Sequence, residues 1–381
     1  MKRELTSIYL IGFCFLTAYQ AILPMASLYA KELSASITDV AVGVSAFYIA
    51  AIIARVPLAR LSERIGRTRM LVTSIVICLF STLGYLFTSN PYQFVLVRVV
   101  HGLGCAAVTP IALSLVSSVT TGYERVNAIG LYTAISALGI FLGPAIGSAG
   151  VANFGIRGCF SLSALIVLMG LLSTYYLKGL RVKEEIGGVS GAKTGGVFRS
   201  DMLVGLCGSY FAHSYLYGAM VTFLPLYANM RLGITPSLVS LLFSVYALST
   251  LGLRASVARL VKYVKQRNLI ILGLANSSIL SITILYAGEF NLLVALMSIM
   301  GLSSGIIYPV GALAISRTYS ESSLFVANAL FLTMFDLGMM VSPLTNAIVA
   351  ERFGLEAVFI ASIIPALTSM VIAYWKIDQE E

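Results

Sequence analysis

The sequence predicts an all-α protein that crosses the membrane many times. Of its 381 residues, 58% are hydrophobic and only 11% are charged, whereas soluble domains have roughly 45–50% apolar and about 25% charged residues. A soluble globule of this size would have too few charges to cover its surface. The apolar runs are also unbroken, unlike the alternating strands of an outer-membrane barrel. Soluble, disordered and barrel classes are therefore excluded.

Apolar runs long enough to span a bilayer predict twelve transmembrane helices. Their predicted bounds are 7–29, 39–58, 69–88, 92–118, 126–150, 158–177, 202–229, 237–258, 268–287, 290–316, 323–348 and 356–375. The polar, glycine-rich segment 180–201 reads as a flexible cytoplasmic linker. It separates a six-helix bundle at 1–179 from a second six-helix bundle at 202–381.

The distribution of basic residues predicts the orientation. Twenty of the 25 Lys and Arg residues fall at one side of the predicted spans, four at the other side, and Arg98 within a helix. Basic residues accumulate on the cytoplasmic side of membrane proteins. Both termini are therefore expected in the cytoplasm of a cell-membrane (plasma or inner-membrane) protein. This bias accounts for the net charge of +9, so no nucleic-acid partner is expected.

The two predicted halves repeat each other at a constant offset of 199 residues. The residues that recur include Arg55, Gly102, Pro110, Gly139, Pro144 and Gly155, which match Arg254, Gly301, Pro309, Gly338, Pro343 and Gly354. Such a register indicates two homologous six-helix bundles in the same orientation. In transporters built this way, substrate sites lie between the repeats near the midplane of the bilayer.

The loop after the second predicted helix reads Ala59-x-x-x-Glu63-Arg64-x-Gly66-Arg67. It resembles the signature loop of the major facilitator superfamily, Gly-x-x-x-Asp-Arg-x-Gly-Arg, with Ala for the first Gly and Glu for the Asp. We expect Glu63 to accept hydrogen bonds from arginines or a helix N-terminus in a clasp that stabilises one gate state. The alternative is that these basic residues only fix the topology.

The fourth predicted helix carries Arg98-x-x-His101-Gly102-x-Gly104-Cys105. It resembles the superfamily's helix-4 motif, with His101 in place of Gln. An arginine within hydrocarbon should face the protein interior and find partners. Arg98, His101, Cys105 and Thr109 share one helical face. The alternative is a structural arginine that is hydrogen-bonded to helix carbonyls.

The fifth predicted helix carries Gly139-x-x-x-Gly143-Pro144-x-x-Gly147. This resembles the motif of the superfamily's drug:proton antiporters and therefore favours export. The alternative is plain helix packing, because small residues four apart let two helices approach closely.

Proton coupling requires an ionisable group within the membrane. Asp336 is the only carboxylate deep within a predicted span, so it is the first candidate. Arg98, as a partner of Asp336, and the histidines His213 and His101 are further candidates. The alternative is a fixed Asp–Arg bridge that only holds the structure together.

Polar and aromatic residues on the predicted helices are candidates for the wall of a substrate cavity. They are Tyr19, Gln20, Tyr48, Cys105, Thr109, Tyr210, Tyr217, Tyr246, Ser304 and Tyr308. Tyrosines are also common at the lipid interface, which is the alternative for each of them. All five cysteines lie in apolar runs without a Cys-x-x-Cys pair, so we expect packing residues and no metal site.

The resemblance implies a secondary active transporter that works by alternating access, and the antiporter motif favours proton-coupled efflux of small amphipathic or drug-like compounds. The expected partners are a small-molecule substrate, protons and the lipid bilayer, and the protein is expected to be a monomer. The expected energy source is the proton gradient, and no cofactor is expected. A facilitator or proton symporter of a small metabolite, such as an organic acid, is an alternative because no carboxylate occupies helix 1 or 4 centrally. A non-transporting sensor is a remote third hypothesis. No phosphate-binding loop or catalytic constellation indicates an enzyme.

Overall fold

The computed structural model describes residues 2–177, 200–254, 256–319 and 321–377. Within these ranges the chain is helical and contains no β-strand. Ten stretches of the described residues are long and apolar enough to cross a membrane. The prediction of an all-α, multi-pass membrane protein is therefore confirmed. The predicted linker, except for Ser200 and Asp201, lies outside the described residues.

The helices fall into two compact units. The first unit consists of α1 (Lys2–Ile22), α2 (Met25–Glu32), α3 (Ile37–Ile65), α4 (Arg67–Gly84), α5 (Pro91–Ser118) and α6 (Gly122–Ser173), with the chain segment Ile234–Ser244. The predicted first helix is broken between α1 and α2 at Pro24, because proline has no N–H to donate to the preceding turn.

The second unit consists of α7 (Asp201–Leu232), α8 (Pro236–Arg254) from Val245 onward, α9 (Val257–Tyr263), α10 (Gln266–Thr283), α11 (Phe290–Thr318), α12 (Glu321–Phe353), α13 (Leu355–Ala361) and α14 (Ile364–Lys376). Each unit has an apolar core of its own. The core of the first unit is built mainly from α1, α4, α5 and α6, and that of the second mainly from α7, α10, α11, α12 and α14.

Two glycines break long helical runs at equivalent places. The predicted fifth and sixth helices form one stretch of 52 residues, α6, which is interrupted at Gly155 with φ 69°. At the offset of 199, Gly354 ends α12 with φ 89°. Positive φ is unfavourable for residues with a Cβ atom, so glycine is required at these breaks.

The repeat in the sequence is also a repeat in packing. Gly102 of α5 lies against the carbonyl oxygen of Phe47 on α3. Gly301 of α11 lies in the same way against the carbonyl oxygen of Tyr246 on α8. Both members of the second pair are displaced by 199 residues from those of the first. The two units therefore share a helix contact that leaves no room for a side chain.

Candidate functional site

Arg98 is fully buried in the first unit. Its Nε donates to the carbonyl oxygen of Gly43 at 3.1 Å, and its Nη2 donates to that of Val44 at 3.3 Å. The guanidinium carbon lies 4.5 Å from the centre of the Phe47 ring, a cation–π distance. The third nitrogen, Nη1, is buried without a hydrogen-bond partner among the described residues. Carbonyls of α3 thus hold two of the three guanidinium nitrogens of Arg98.

His101 lies one turn further along α5, and it is also buried. Its Nδ1 is 3.1 Å from the hydroxyl of Tyr85, and its ring packs edge-on against Phe47 at 5.4 Å. The Arg98 guanidinium also lies beside the Tyr85 hydroxyl. Sequence reasoning missed Tyr85, because nothing in the pattern after α4 distinguishes it from an interface tyrosine.

Two of the predicted cavity tyrosines meet in the first unit. The hydroxyls of Tyr19 on α1 and Tyr48 on α3 are 2.8 Å apart, and Tyr19 stacks on Phe47 at 5.3 Å. The structure therefore joins these tyrosines and Arg98 in one polar aromatic cluster around Phe47.

Two other predicted cavity residues of the first unit, Thr109 and Gln20, lie near contacts between helices and not in the cluster around Phe47. Thr109 is half-buried beside Tyr132. Gln20 is half-buried, with its Cβ close to Gly143. Neither residue contributes a hydrogen bond to the cluster around Phe47 in the described part of the chain.

Cys105 shows that the expectation of mere packing cysteines is incomplete. Its Sγ lies 3.6 Å from the Sγ of Cys78 on α4. A ring nitrogen of His101 lies within 4.8 Å of both sulfurs. This group has no signature such as Cys-x-x-Cys in the sequence, because its members come from two helices.

The second unit contains an aromatic cluster around Tyr210 of α7. The Tyr210 ring stacks on Phe331 at 4.4 Å and on His213 at 6.3 Å, and it lies 5.8 Å from Tyr308. The Nδ1 atom of His213 is buried and has no hydrogen-bond partner among the described residues. This nitrogen is therefore available to a ligand.

Tyr217, Tyr246 and Ser304 extend this cluster. The rings of Tyr217 and Tyr246 stack at 5.2 Å, and the Tyr246 hydroxyl donates to Ser304 Oγ. The guanidinium of Arg254 lies 5.6 Å from the centre of the Tyr308 ring. All five predicted cavity residues of the second unit are therefore in or next to one aromatic cluster.

Asp336 lies midway along α12 and is half-buried. Its carboxylate is close enough to interact electrostatically with the Tyr210 hydroxyl. The neighbouring Phe335 packs against Tyr210 at 5.3 Å. The carboxylate is thus part of the aromatic cluster, whereas its pairing with Arg98 stays a prediction.

The motif loop joins α3 to α4 through Gly66, whose φ is 95°. This conformation explains why the motif has glycine at that position. Arg67 begins α4, and Ser62 Oγ donates to the Ala59 carbonyl at 2.6 Å. Ala59, Glu63 and Arg64 are exposed. The clasp role of this loop stays a prediction.

The glycines of the fifth-helix motif pack α6 against α1. A Cβ atom added to Gly139, Gly143 or Gly147 would lie 2.7, 2.6 or 3.0 Å from the carbonyl oxygens of Phe13, Thr17 and Ala21, respectively. The distances at Gly139 and Gly143 are too short for a carbon atom, so these two positions require glycine, and the contact at Gly147 is tight. The three glycines of the motif therefore lie in a close contact between α6 and α1, and the role of the motif in export stays a prediction.

The same helix also contacts the first turns of α8 within the first unit. The carbonyl oxygen of Pro144 accepts from Ser240 Oγ at 2.8 Å. Ser148 Oγ and Ser237 Oγ are 2.9 Å apart. The motif therefore packs α6 against the segment Ile234–Ser244 of the first unit as well as against α1.

Comparisons with known proteins identify the family. The family model described as Major Facilitator Superfamily matches residues 8–289 and 206–381. The chain belongs to the major facilitator superfamily. It is 24% identical to an uncharacterized MFS-type transporter of Methanocaldococcus jannaschii, and the match covers 100% of this chain and 99% of that protein.

A further relative is multidrug resistance protein 2 of Bacillus subtilis, at 23% identity over 87% of this chain and 84% of the relative. The fold resembles that of a bacterial homolog of the human lysosomal transporter Spinster in its inward-facing, unoccupied conformation. That structure gives a TM-score of 0.82 at 14% identity, covering 98% of this chain and 96% of the other. The chain is thus a superfamily transporter, rather than an enzyme, that resembles the drug efflux branch.

Proposed function

We propose that the chain has twelve transmembrane helices in two six-helix bundles, 1–179 and 202–381, with both termini in the cytoplasm. The apolar stretch Gly122–Leu177 has 56 residues, or about 84 Å of helix at ~1.5 Å per residue. This is more than twice the hydrocarbon thickness of ~30 Å, so the break at Gly155 divides it into two crossings. With α7, which has 32 residues, the ten apolar stretches then become twelve crossings.

We propose further that the protein exports small amphipathic compounds from the cell in exchange for protons, by alternating access. The observation that carries this proposal is the half-buried carboxylate of Asp336 within the aromatic cluster of the second unit. Ionisable groups in membrane helices are costly and usually functional. The similarity to multidrug resistance protein 2 supports the direction of transport.

The aromatic cluster suits the proposed substrate class. Ligand sites in proteins are mostly apolar, with a few polar groups that fix orientation. The rings of Tyr210, Tyr308 and Phe331 supply apolar surface. Nδ1 of His213, which has no hydrogen-bond partner within the described ranges, supplies a polar contact. In the proposed cycle Asp336 binds a proton when the substrate has left, and it releases the proton to the cytoplasm before the next substrate binds.

The lumenal pH of proteoliposomes tests this coupling. The purified protein is reconstituted without a pH gradient, and candidate amphipathic compounds are added outside. Protein-dependent alkalinisation of the lumen is expected, because protons leave as the substrate enters. Empty liposomes control for passive entry of weak bases. Acidification would indicate symport and contradict the proposal.

A second candidate function is transport of a small organic anion by facilitation or proton symport. It is favoured by Nη1 of Arg98, a buried cationic donor without a hydrogen-bond partner in the described ranges. A guanidinium binds carboxylates strongly through paired hydrogen bonds.

Replacing Arg98 by Met tests this second function. The second unit has Met297 at the equivalent position of α11, where it is buried, so we expect Arg98→Met to fold. If anions are the substrates, their saturable uptake should fall at least about tenfold, the loss of one charged hydrogen bond. Arg98→Lys keeps the charge and should retain part of the uptake. Unchanged anion uptake in Arg98→Met would exclude this function.

A further inference from the structure

Three metal-binding side chains meet in the interior of the first unit. Cys78 comes from α4, and His101 and Cys105 lie one helical turn apart on α5, so both α5 side chains face α4. One ligand atom from each residue lies within 4.8 Å of the other two. Cys78 and His101 are buried, and Cys105 is half-buried.

The geometry of the group fits a metal ion. With metal–sulfur bonds of ~2.3 Å, two sulfurs of a trigonal or tetrahedral site lie about 3.8–4.0 Å apart. The two Sγ atoms are 3.6 Å apart, close to this range and far from the ~2.05 Å of a disulfide. Bonding both sulfurs to one ion therefore requires little movement of α4 or α5.

The ring of His101 is held by a hydrogen bond with Tyr85, a residue outside the group of three. Its Nδ1 is 3.1 Å from the Tyr85 hydroxyl, so Nε2 is the nitrogen left for a metal. Metal-binding histidines almost always donate their other ring N–H to a neighbouring oxygen. Tyr85 provides that oxygen, and metal binding would select the tautomer in which Nδ1 carries the hydrogen.

We propose that Cys78, His101 and Cys105 bind one soft monovalent cation, Cu(I) or Ag(I). Thiolate ligands select soft ions, and imidazole is compatible with copper. Each thiol gives up its proton to solvent as its sulfur–metal bond forms, so binding one ion releases two protons. No electron is transferred, and neither an oxidant nor a reductant is needed.

The charge of the surroundings favours a monovalent ion over Zn²⁺. One monovalent cation with two thiolates carries a single negative charge. That charge would offset the positive charge of Arg98, which lies on the same helix and acts electrostatically on both His101 and Cys105. A divalent ion with the same ligands is neutral and would leave the buried arginine uncompensated, which is costly in a medium of low dielectric constant.

The internal repeat provides a natural comparison for this site. At the offset of 199, the second unit has Ser277, Met300 and Ser304 in place of the three residues. The helix that carries these residues packs in the same way in both units, since Gly102 and Gly301 make equivalent contacts. Serine is therefore compatible with the fold at both cysteine positions, and we expect Cys78→Ser and Cys105→Ser to fold.

Titration of the purified, reduced protein with Cu(I) buffered by a chromogenic chelator tests the proposal. We expect one Cu(I) per chain, release of two protons per ion, and an affinity at least about 100-fold lower in Cys78→Ser and in Cys105→Ser, because each variant lacks a ligand. The matched control is Cys14→Ser/Cys159→Ser/Cys207→Ser, which removes the other cysteines and should keep the site. Thermal unfolding of each variant verifies that it is folded.

Three results would overturn the proposal. One is unchanged Cu(I) affinity in a folded Cys78→Ser variant, and another is loss of binding in the folded triple variant. The third is binding of Zn²⁺ more tightly than Cu(I), which would contradict the charge argument. None of these measurements depends on transport, so their outcome is independent of the proposed antiport.

Discussion

Replacing Asp336 by Asn is expected to abolish proton-coupled transport while the protein stays folded. The amide has nearly the shape of the carboxylate but cannot take up or release the coupling proton. Substrate-driven alkalinisation of proteoliposomes should fall at least about tenfold, as for the loss of an essential intramembrane ionisable group. Substrate binding should change less, because the rings around Tyr210 remain in place.

The matched control is Asp201→Asn, a change of the same kind in the same unit. Asp201 begins α7 and forms an ion pair with Lys376, and both side chains are partly accessible to solvent. Exposed ion pairs contribute only about 0–1 kcal/mol, so this variant should keep its coupling. Full coupling in Asp336→Asn, with Asp201→Asn unchanged, would show that the proton is carried elsewhere.

Replacing Gly143 by Leu is expected to destabilise the first unit strongly. A Cβ atom at Gly143 would lie 2.6 Å from the carbonyl oxygen of Thr17 and 2.8 Å from the Cβ of Gln20. Because a backbone oxygen of α1 cannot yield as a flexible side chain can, α1 and α6 must separate. Overpacking of this kind costs ~1–3 kcal/mol, so the midpoint of thermal unfolding should fall by about 2–12 °C.

Gly130→Leu is the control on the same helix. No atom lies within 4 Å of a Cβ placed at Gly130, and the position is exposed. Leucine also has a higher helix propensity than glycine by up to about 1 kcal/mol. The unfolding midpoint of this variant should therefore stay the same or rise. Equal losses in both variants would mean that helix packing does not explain the glycine at 143.

The sequence alone determined the class of protein and the repeat. Long apolar runs that cross a membrane form helices, because a helix supplies a hydrogen-bond partner within its own segment for the backbone N–H and C=O groups. The sequence revealed that Gly102 recurs as Gly301 in the register of 199 residues, and the structure adds that both make the same kind of helix contact.

Helix bounds were harder to predict. Apolar runs located the membrane segments, including those on either side of the break at Gly155, but they did not predict the break between α1 and α2. The hydrophobic signal extends over many residues, whereas this break depends on one residue, Pro24.

Only the tertiary structure decided which side chains meet. The pattern placed Arg98, His101 and Cys105 on one face of α5, but it could not reveal that Cys78 of α4 and Tyr85 after it complete that group. In the same way, Asp336 was singled out by its charge, yet its place beside Tyr210 follows from the packing of α12 on α7. The physical reason is that periodicity fixes which face of a helix a residue occupies, whereas its partner depends on the axial shift and rotation of the neighbouring helix.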